Sequence, residues 1–377
     1  ATSLTPDSVV DVMSDYYKNH RATVNRATYE TGQQADGMYN DARSIVAGFI
    51  NANPDEIVFT KGTTAALNNL ARNLVPQLNK GDEILTNELE HHANFLPWIE
   101  NGKLNDVDIK FIDLIDNAVT LESVEKAVTN KTRIITLNHV SNIIGATNDI
   151  AAIGKFCQDK NIIFVVDGAQ GITHEQVDVK TFNCDFYVFS GHKLFGPTGI
   201  GVLFGKQQFL EKMVFDYGGD MAALVTKEGY QKKDAPLGLE AGTPSIAEVI
   251  GMGEAIKYFA EFDIEDVKAH IHQLKQYTVE QLQKIPEVEI YNAQVLGGTV
   301  AFNIVNFPVH DALTLYSNYG VAMRGGHMCN QLTINLLKQS AILRISFNVY
   351  NSKEDIDKFI EVTNIILKGD ELSWMDF

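Results

Sequence analysis

The chain has 377 residues, a formal net charge of −17 and 45% hydrophobic residues. Such a length suits two or three domains around a large core, and the acidity argues against nucleic acid and anionic membranes, both of which reward a basic surface. No apolar run approaches the roughly 20 residues that span a bilayer. The three cysteines, Cys157, Cys184 and Cys329, make neither a disulfide framework nor a paired zinc pattern, which points to a reducing, cytoplasmic setting and to no metal site.

The amino terminus is acidic and polar, unlike a targeting segment. From about residue 40 to 210, strand-like apolar runs alternate with helical patterns, and the residue after each run is where chemistry is expected. The run 56–60 leads into Lys61-Gly62-Thr63-Thr64 before a helical stretch. There, free backbone N–H groups and two hydroxyls could bind a phosphate; a plain threonine N-cap is the alternative. The run 83–86 leads to Glu90-His91-His92-Ala93-Asn94. One imidazole of the pair could stack on a cofactor ring and move protons, or both could be solvated; a metal site lacks a third ligand. After the run 133–137 comes His139-Val140-Ser141-Asn142, where Asn142 could donate to a cofactor oxygen and His139 reads as a packed residue.

Ile162 to Val166 reads as a strand covered on both faces, and it ends in Asp167-Gly168-Ala169-Gln170. A carboxylate at that end could hold a pyridine nitrogen protonated, or could cap the next helix. Phe186 to Phe189 leads to Ser190-Gly191-His192-Lys193. A lysine at the end of a buried strand can condense with a cofactor aldehyde, with Ser190 and His192 beside a phosphate; a structural lysine is the alternative. Asp167 and Lys193 support each other, since an acid and then a lysine on successive strand ends is the order a pyridoxal phosphate site requires. The run 201–204 completes the series, which implies a mainly parallel sheet covered by helices.

A helical pattern over 247–262 follows Gly242-Thr243-Pro244-Ser245 and leads to a second unit with strands at 288–291 and 299–303. Arg324 to Gln331 is loop-like, with two glycines. Cys329 lies in it beside Arg324 and His327, which could favour a thiolate; Cys157 and Cys184, among apolar residues, read as inert packing. Arg344 sits in an apolar run and needs an anion, either a substrate carboxylate or a structural carboxylate. The expected division is an N-terminal segment, 1–20, packing with the small domain; a large α/β domain, 21–259; and a small α+β domain, 260–377, carrying the cysteine loop.

Together these blocks resemble the SufS-type cysteine desulfurases, or selenocysteine lyase-like group, within the class V aminotransferase family of fold-type I pyridoxal 5'-phosphate enzymes. The resemblance runs over nearly the whole chain and is strongest from Cys184 to Lys193. It implies an α/β fold with a large, mainly parallel domain and a smaller C-terminal one. It also implies roles. Lys193 would carry the cofactor, Asp167 would pair with its ring nitrogen, and Gln170 and Asn142 would lie near its phenolic oxygen. His91 would stack on the ring and serve as a catalytic residue in proton transfer. Thr63, Thr64, Ser190 and His192 would bind the phosphate, with Thr243 reaching the site of the second subunit of a homodimer. Arg344, with Arg324 nearby, would hold the carboxylate of L-cysteine or L-selenocysteine, and Cys329 would take the sulfur as a persulfide. A SufE- or SufU-type protein would accept it for iron–sulfur cluster assembly; a selenocysteine lyase or a cysteine C–S lyase is the alternative on the same fold. Two departures stand out. Asn330-Gln331-Leu332-Thr333 follows Cys329 where the family usually has a nearby proline, and Ala65 replaces a common glutamate. The opening Ala1-Thr2-Ser3 resembles the family's early small-residue segment, with the strand before it absent.

Overall fold

A continuously apolar strand has no face to offer water, so it must lie in the middle of a covered sheet. The computed structural model, which describes residues 2–26 and 28–369, places the apolar runs there. Seven strands, β1 (Ile57–Thr60), β2 (Glu83–Thr86), β3 (Asp108–Phe111), β4 (Thr132–Asn138), β5 (Ile163–Asp167), β6 (Phe186–Ser190) and β7 (Gly201–Gly205), form one sheet. Their order is β1-β7-β6-β5-β4-β2-β3. Strands β2 to β6 pair in parallel, and β7 runs against both of its neighbours. The edge strand β3 has no counterpart among the expected runs. Asp108-Ile109-Lys110-Phe111 is largely exposed, so it carries no burial pattern and is strand only through its pairing with β2.

Parallel pairing brings the carboxyl ends of β4, β5 and β6 side by side. Asn138 is opposite Asp167, and Asp167 is opposite Val188, two residues before Ser190. This edge of an open α/β sheet is where ligands bind. The chain then forms a hairpin, β8 (Ala222–Val225) and β9 (Tyr230–Lys232), whose Leu224, Val225 and Tyr230 are exposed. Glu240, soon after, is held by a buried ion pair with Arg43 at 2.8 Å. It also accepts from the Phe59 amide at 2.7 Å and from the Tyr39 hydroxyl at 3.0 Å.

The helix Ile246–Phe259 is buried along most of its length and leads to an antiparallel sheet of β10 (Val288–Ile290), β11 (Thr299–Ile304), β12 (Arg324–Gly326) and β13 (Ile342–Ser346), ordered β10-β11-β13-β12. β12 corrects the loop-like reading of this segment: cross-strand bonds to β13 make Arg324-Gly325-Gly326 an edge strand despite its glycines. Two polar links join this sheet to the loop after β4. Thr299 Oγ1 donates to Ile143 O and Asn292 Nδ2 to Ile144 O, each at 2.9 Å. The helix Asp7–Asp15 packs mainly against Ile246–Phe259. Among the described residues no helix is long and apolar enough to cross a membrane.

Candidate active site

Five strand-to-loop junctions converge on a cavity of about 180 Å³ at the carboxyl edge of the large sheet. Thr63 and Thr64 come from β1; His91 from β2; Asn142 from β4; Asp167 and Gln170 from β5; Ser190, His192 and Lys193 from β6. These nine candidates are brought together although up to 130 residues separate them, from Thr63 to Lys193. A larger cavity, about 840 Å³, shares Val140 with it and is lined by none of them.

Thr63 opens a helix, Thr63–Leu74, and is not its N-cap: Gly62, at φ +142°, takes that position. Such a backbone suits glycine. The Thr63 amide donates to Ser190 Oγ at 2.8 Å, and the two hydroxyls are 2.7 Å apart. Helix geometry leaves the next N–H groups, at Thr64 and Ala65, without intrahelical partners, which suits an anion. His192 Nδ1 lies 3.1 Å from Thr2 Oγ1, and the His192 carbonyl accepts from the Ser3 amide at 3.0 Å.

Asp167 is 4% exposed. Its Oδ1 accepts from the Ala169 amide at 2.9 Å, so it does brace the following turn, while the residue still lines the cavity. Burial raises its pKa, opposed by the Lys193 charge and by that amide bond. Burial lowers the pKa of Lys193, with Asp167 and Cys329 acting against the shift and Arg344 acting with it. The two groups are thus coupled through the cavity. His91 is pushed down to about 4, first by burial and then by Lys193, His92 and Arg344. Its Nδ1 accepts from the Ala93 amide at 3.1 Å, which leaves the proton on Nε2. His139 stays out of the cavity: buried, it meets the Tyr187 hydroxyl through Nδ1 at 3.0 Å.

Arg344, on β13, is buried, and its Nε has no hydrogen-bond partner. Its Nη1 donates to the Asn142 carbonyl. No carboxylate pairs with it among the described residues, so the structural salt bridge is not formed, and one buried N–H of the guanidinium is without a partner. Arg324 sits opposite it across the strand pair and is exposed. Cys329 is exposed, whereas Cys157 and Cys184 are buried and their thiols are held protonated, Cys157 up to about 12. Met328 and Cys329 both have left-handed backbones, φ +50° and +56°. For non-glycine residues this costs roughly 1 kcal/mol or more each. Thr243 is exposed and lines none of its own chain's catalytic cavity.

Two contributors were missed by sequence reasoning. Glu90 is 1% exposed and pushed up to about 8 by burial, with Asn87, Asn94 and the Asn138 amide bonded to it. It anchors the turn that carries His91. His92 does not share the cavity; it grips the cysteine loop, its amide donating to the Cys329 carbonyl at 2.7 Å and its Nε2 accepting from the Gln331 amide at 3.0 Å. The paired histidines were visible, but their separate tasks depend on contacts some 240 residues apart. Among the described residues no cluster of three histidine, cysteine or acidic side chains could hold a metal.

The donor set fits pyridoxal 5'-phosphate. A half-buried amine at Lys193, a buried carboxylate coupled to it and open helix N–H groups beside two hydroxyls answer its aldehyde, ring nitrogen and phosphate. The family model described as "Aminotransferase class-V" matches residues 1–359. A "Probable cysteine desulfurase" of Staphylococcus aureus is 40% identical over 366 residues, covering 96% of this chain and 89% of that protein. One of Halalkalibacterium halodurans is 38% identical over 361 residues, with 95% and 89% covered. Among solved structures, the cysteine desulfurase of Thermococcus onnurineus superposes with a TM-score of 0.93 at 36% identity, covering 98% of this chain and 93% of that one. The cysteine desulfurase CsdA of Escherichia coli gives 0.90 at 34%, with 97% and 93% covered.

Proposed function

The chain belongs to the class V aminotransferase family, and from that membership we propose that it is a pyridoxal phosphate-dependent cysteine desulfurase with Cys329 as its sulfur acceptor. When bound, the cofactor supplies an electron sink for the substrate's Cα–H and C–S bonds. Lys193 would hold it covalently and, once freed, take the Cα proton; burial, which lowers its pKa, leaves more of the amine unprotonated and able to accept that proton. Asp167 would keep the ring nitrogen protonated, and Gln170 and Asn142 would flank its phenolic oxygen. His91 would stack on the ring as a neutral imidazole. Thr63, Thr64, Ser190 and His192 would hold the phosphate.

Arg344 would bind the carboxylate of L-cysteine, assisted by Arg324. The observation that carries this is the buried guanidinium, with an unbonded Nε and no carboxylate partner among the described residues. The Cys329 thiolate attacks the substrate sulfur, an S–S bond forms, the C–S bond breaks, and its electron pair stays on carbon, which is protonated to alanine. The persulfide then passes to a SufE- or SufU-type acceptor, serving iron–sulfur cluster assembly in the cytoplasm. Thr243, exposed and outside its own cavity, and the apolar hairpin with Val225 70% exposed support a homodimer in which Thr243 serves the other subunit.

Cys329→Ala tests this. The variant should retain the cofactor's visible absorbance yet yield no alanine and no persulfide from cysteine. Full alanine release by the variant would defeat the assignment, and pyruvate in place of alanine would mark a C–S lyase.

A further inference from the structure

The turn that carries Cys329 is backbone-strained and must be held from outside, and one of its tethers is the buried residue that follows the cysteine. Asn330 is 0% exposed. Its Nδ2 donates to the Leu89 carbonyl at 2.9 Å and to Asn142 Oδ1 at 3.0 Å. Its Oδ1 accepts from the Thr333 amide at 3.2 Å. Asn142 Nδ2 in turn donates to the Met328 carbonyl at 3.1 Å. The two carboxamides fix each other's orientation, because flipping either would set oxygen against oxygen or N–H against N–H. They form a ring: Met328 to Asn142, Asn142 to Asn330, and Asn330 back to Cys329 through the chain. His92 closes the other side through the Cys329 carbonyl and the Gln331 amide.

We propose that Asn330 is the positioning residue that fixes the Cys329 turn and the Asn142 carboxamide as one unit, so that the sulfur acceptor and the edge of the cofactor cavity keep a constant relation. Asn330 lines no part of the cavity and acts through Asn142 and the turn. A left-handed Met328-Cys329 pair reverts to ordinary backbone when its tethers go. Loss of Asn330 therefore frees the nucleophile, while Asn330 itself makes no hydrogen bond to Lys193 or Arg344. The inference rests on the desulfurase reading for its kinetic consequence alone; the conformational part stands apart from it.

The test compares the holoenzyme with Asn330→Ala and with Asn330→Asp, which keeps the shape and loses both donors. Amide hydrogen exchange over residues 328–331 should be at least about tenfold faster in both variants. In single turnovers, the spectral change on mixing with cysteine should stay within about twofold, while persulfide formation on Cys329, read by mass, falls at least about tenfold. Unchanged exchange in a folded Asn330→Asp overturns the proposal, as does an equal fall in both kinetic phases. If the wild type forms no persulfide on Cys329 while exchange still accelerates in the variants, the desulfurase reading fails and the positioning role stands.

Discussion

At Glu90, His91 and His139, burial is the first cause of the shift in ionisation. His139 is held down to about 3 by burial, with His174 and Lys268 adding to it. The folded chain keeps it neutral to about that pH, while the unfolded chain protonates it below about 6.5. Between those values the unfolded state binds more protons, so stability falls as pH falls, by up to about 1.4 kcal/mol per pH unit. Glu90, raised to about 8, works in the opposite sense: the unfolded carboxyl ionises above about 4.5, so its share of stability is lost as pH rises toward 8. The net curve mixes both, and a variant isolates one. His139→Gln should be less stable at pH 7 by urea midpoint, with a smaller further drop at pH 5 than the wild type. An equal drop in both proteins would remove His139 from the acid response. The sequence already read His139 as packed and His91 as the working imidazole; what it could not show was that His92 holds the cysteine turn.

At the scale of elements, the apolar runs at 134–137, 163–166 and 186–189 were legible because strands covered on both faces need no partner pattern to betray them. β3, β12 and the β8–β9 hairpin were not legible. Their strand character comes from backbone pairing, and their side chains are partly or wholly exposed. The segment bearing Thr243 is tied to the large sheet by another nonlocal device. Glu240 bridges Arg43, on the helix Glu30–Phe49, to the amide of Phe59 on β1. A buried pair stripped of one charge leaves the other unpaired, which costs about 3–5 kcal/mol. Glu240→Gln should therefore lower the stability of the protein by about that much in denaturant titrations, whereas Arg43→Met with Glu240→Leu should lose less. If the single and double variants lose equally, the pair does not carry the tie.

At the scale of the whole molecule, the seven-stranded and four-stranded sheets are joined through the loop after β4, with the β8–β9 hairpin as a third, two-stranded sheet. The large sheet supplies the amine, the carboxylate and the phosphate cradle; the small one supplies Arg344 on β13 and leads β12 into the cysteine turn. Thr299 and Asn292 lock them together through the loop that carries Asn142. If Thr243 serves the second subunit, defects should complement. Lys193→Ala alone should be inactive and Thr243→Ala alone weakened in cofactor binding. Co-expressed at equal levels, they should restore about one quarter of wild-type desulfuration at limiting cofactor, since half of the dimers hold one intact site of two. No gain over Thr243→Ala alone would place Thr243 in its own subunit's site or in none.

Sequence by itself determined the chemistry that is local. An acid and a lysine each end a buried strand, two hydroxyls open a helix, and a cysteine sits among small polar residues; strand order then had to bring the ends together, because parallel pairing aligns carboxyl termini. The tertiary structure decided what depends on distance across the chain. It left Arg344 without a salt bridge among the described residues, gave His91 and His92 different partners, and made Asn330 a tether to residues about 190 and 240 positions earlier. Hydrogen bonds between such remote groups leave no period in the sequence, since each is fixed only when two separately folded surfaces close on one another.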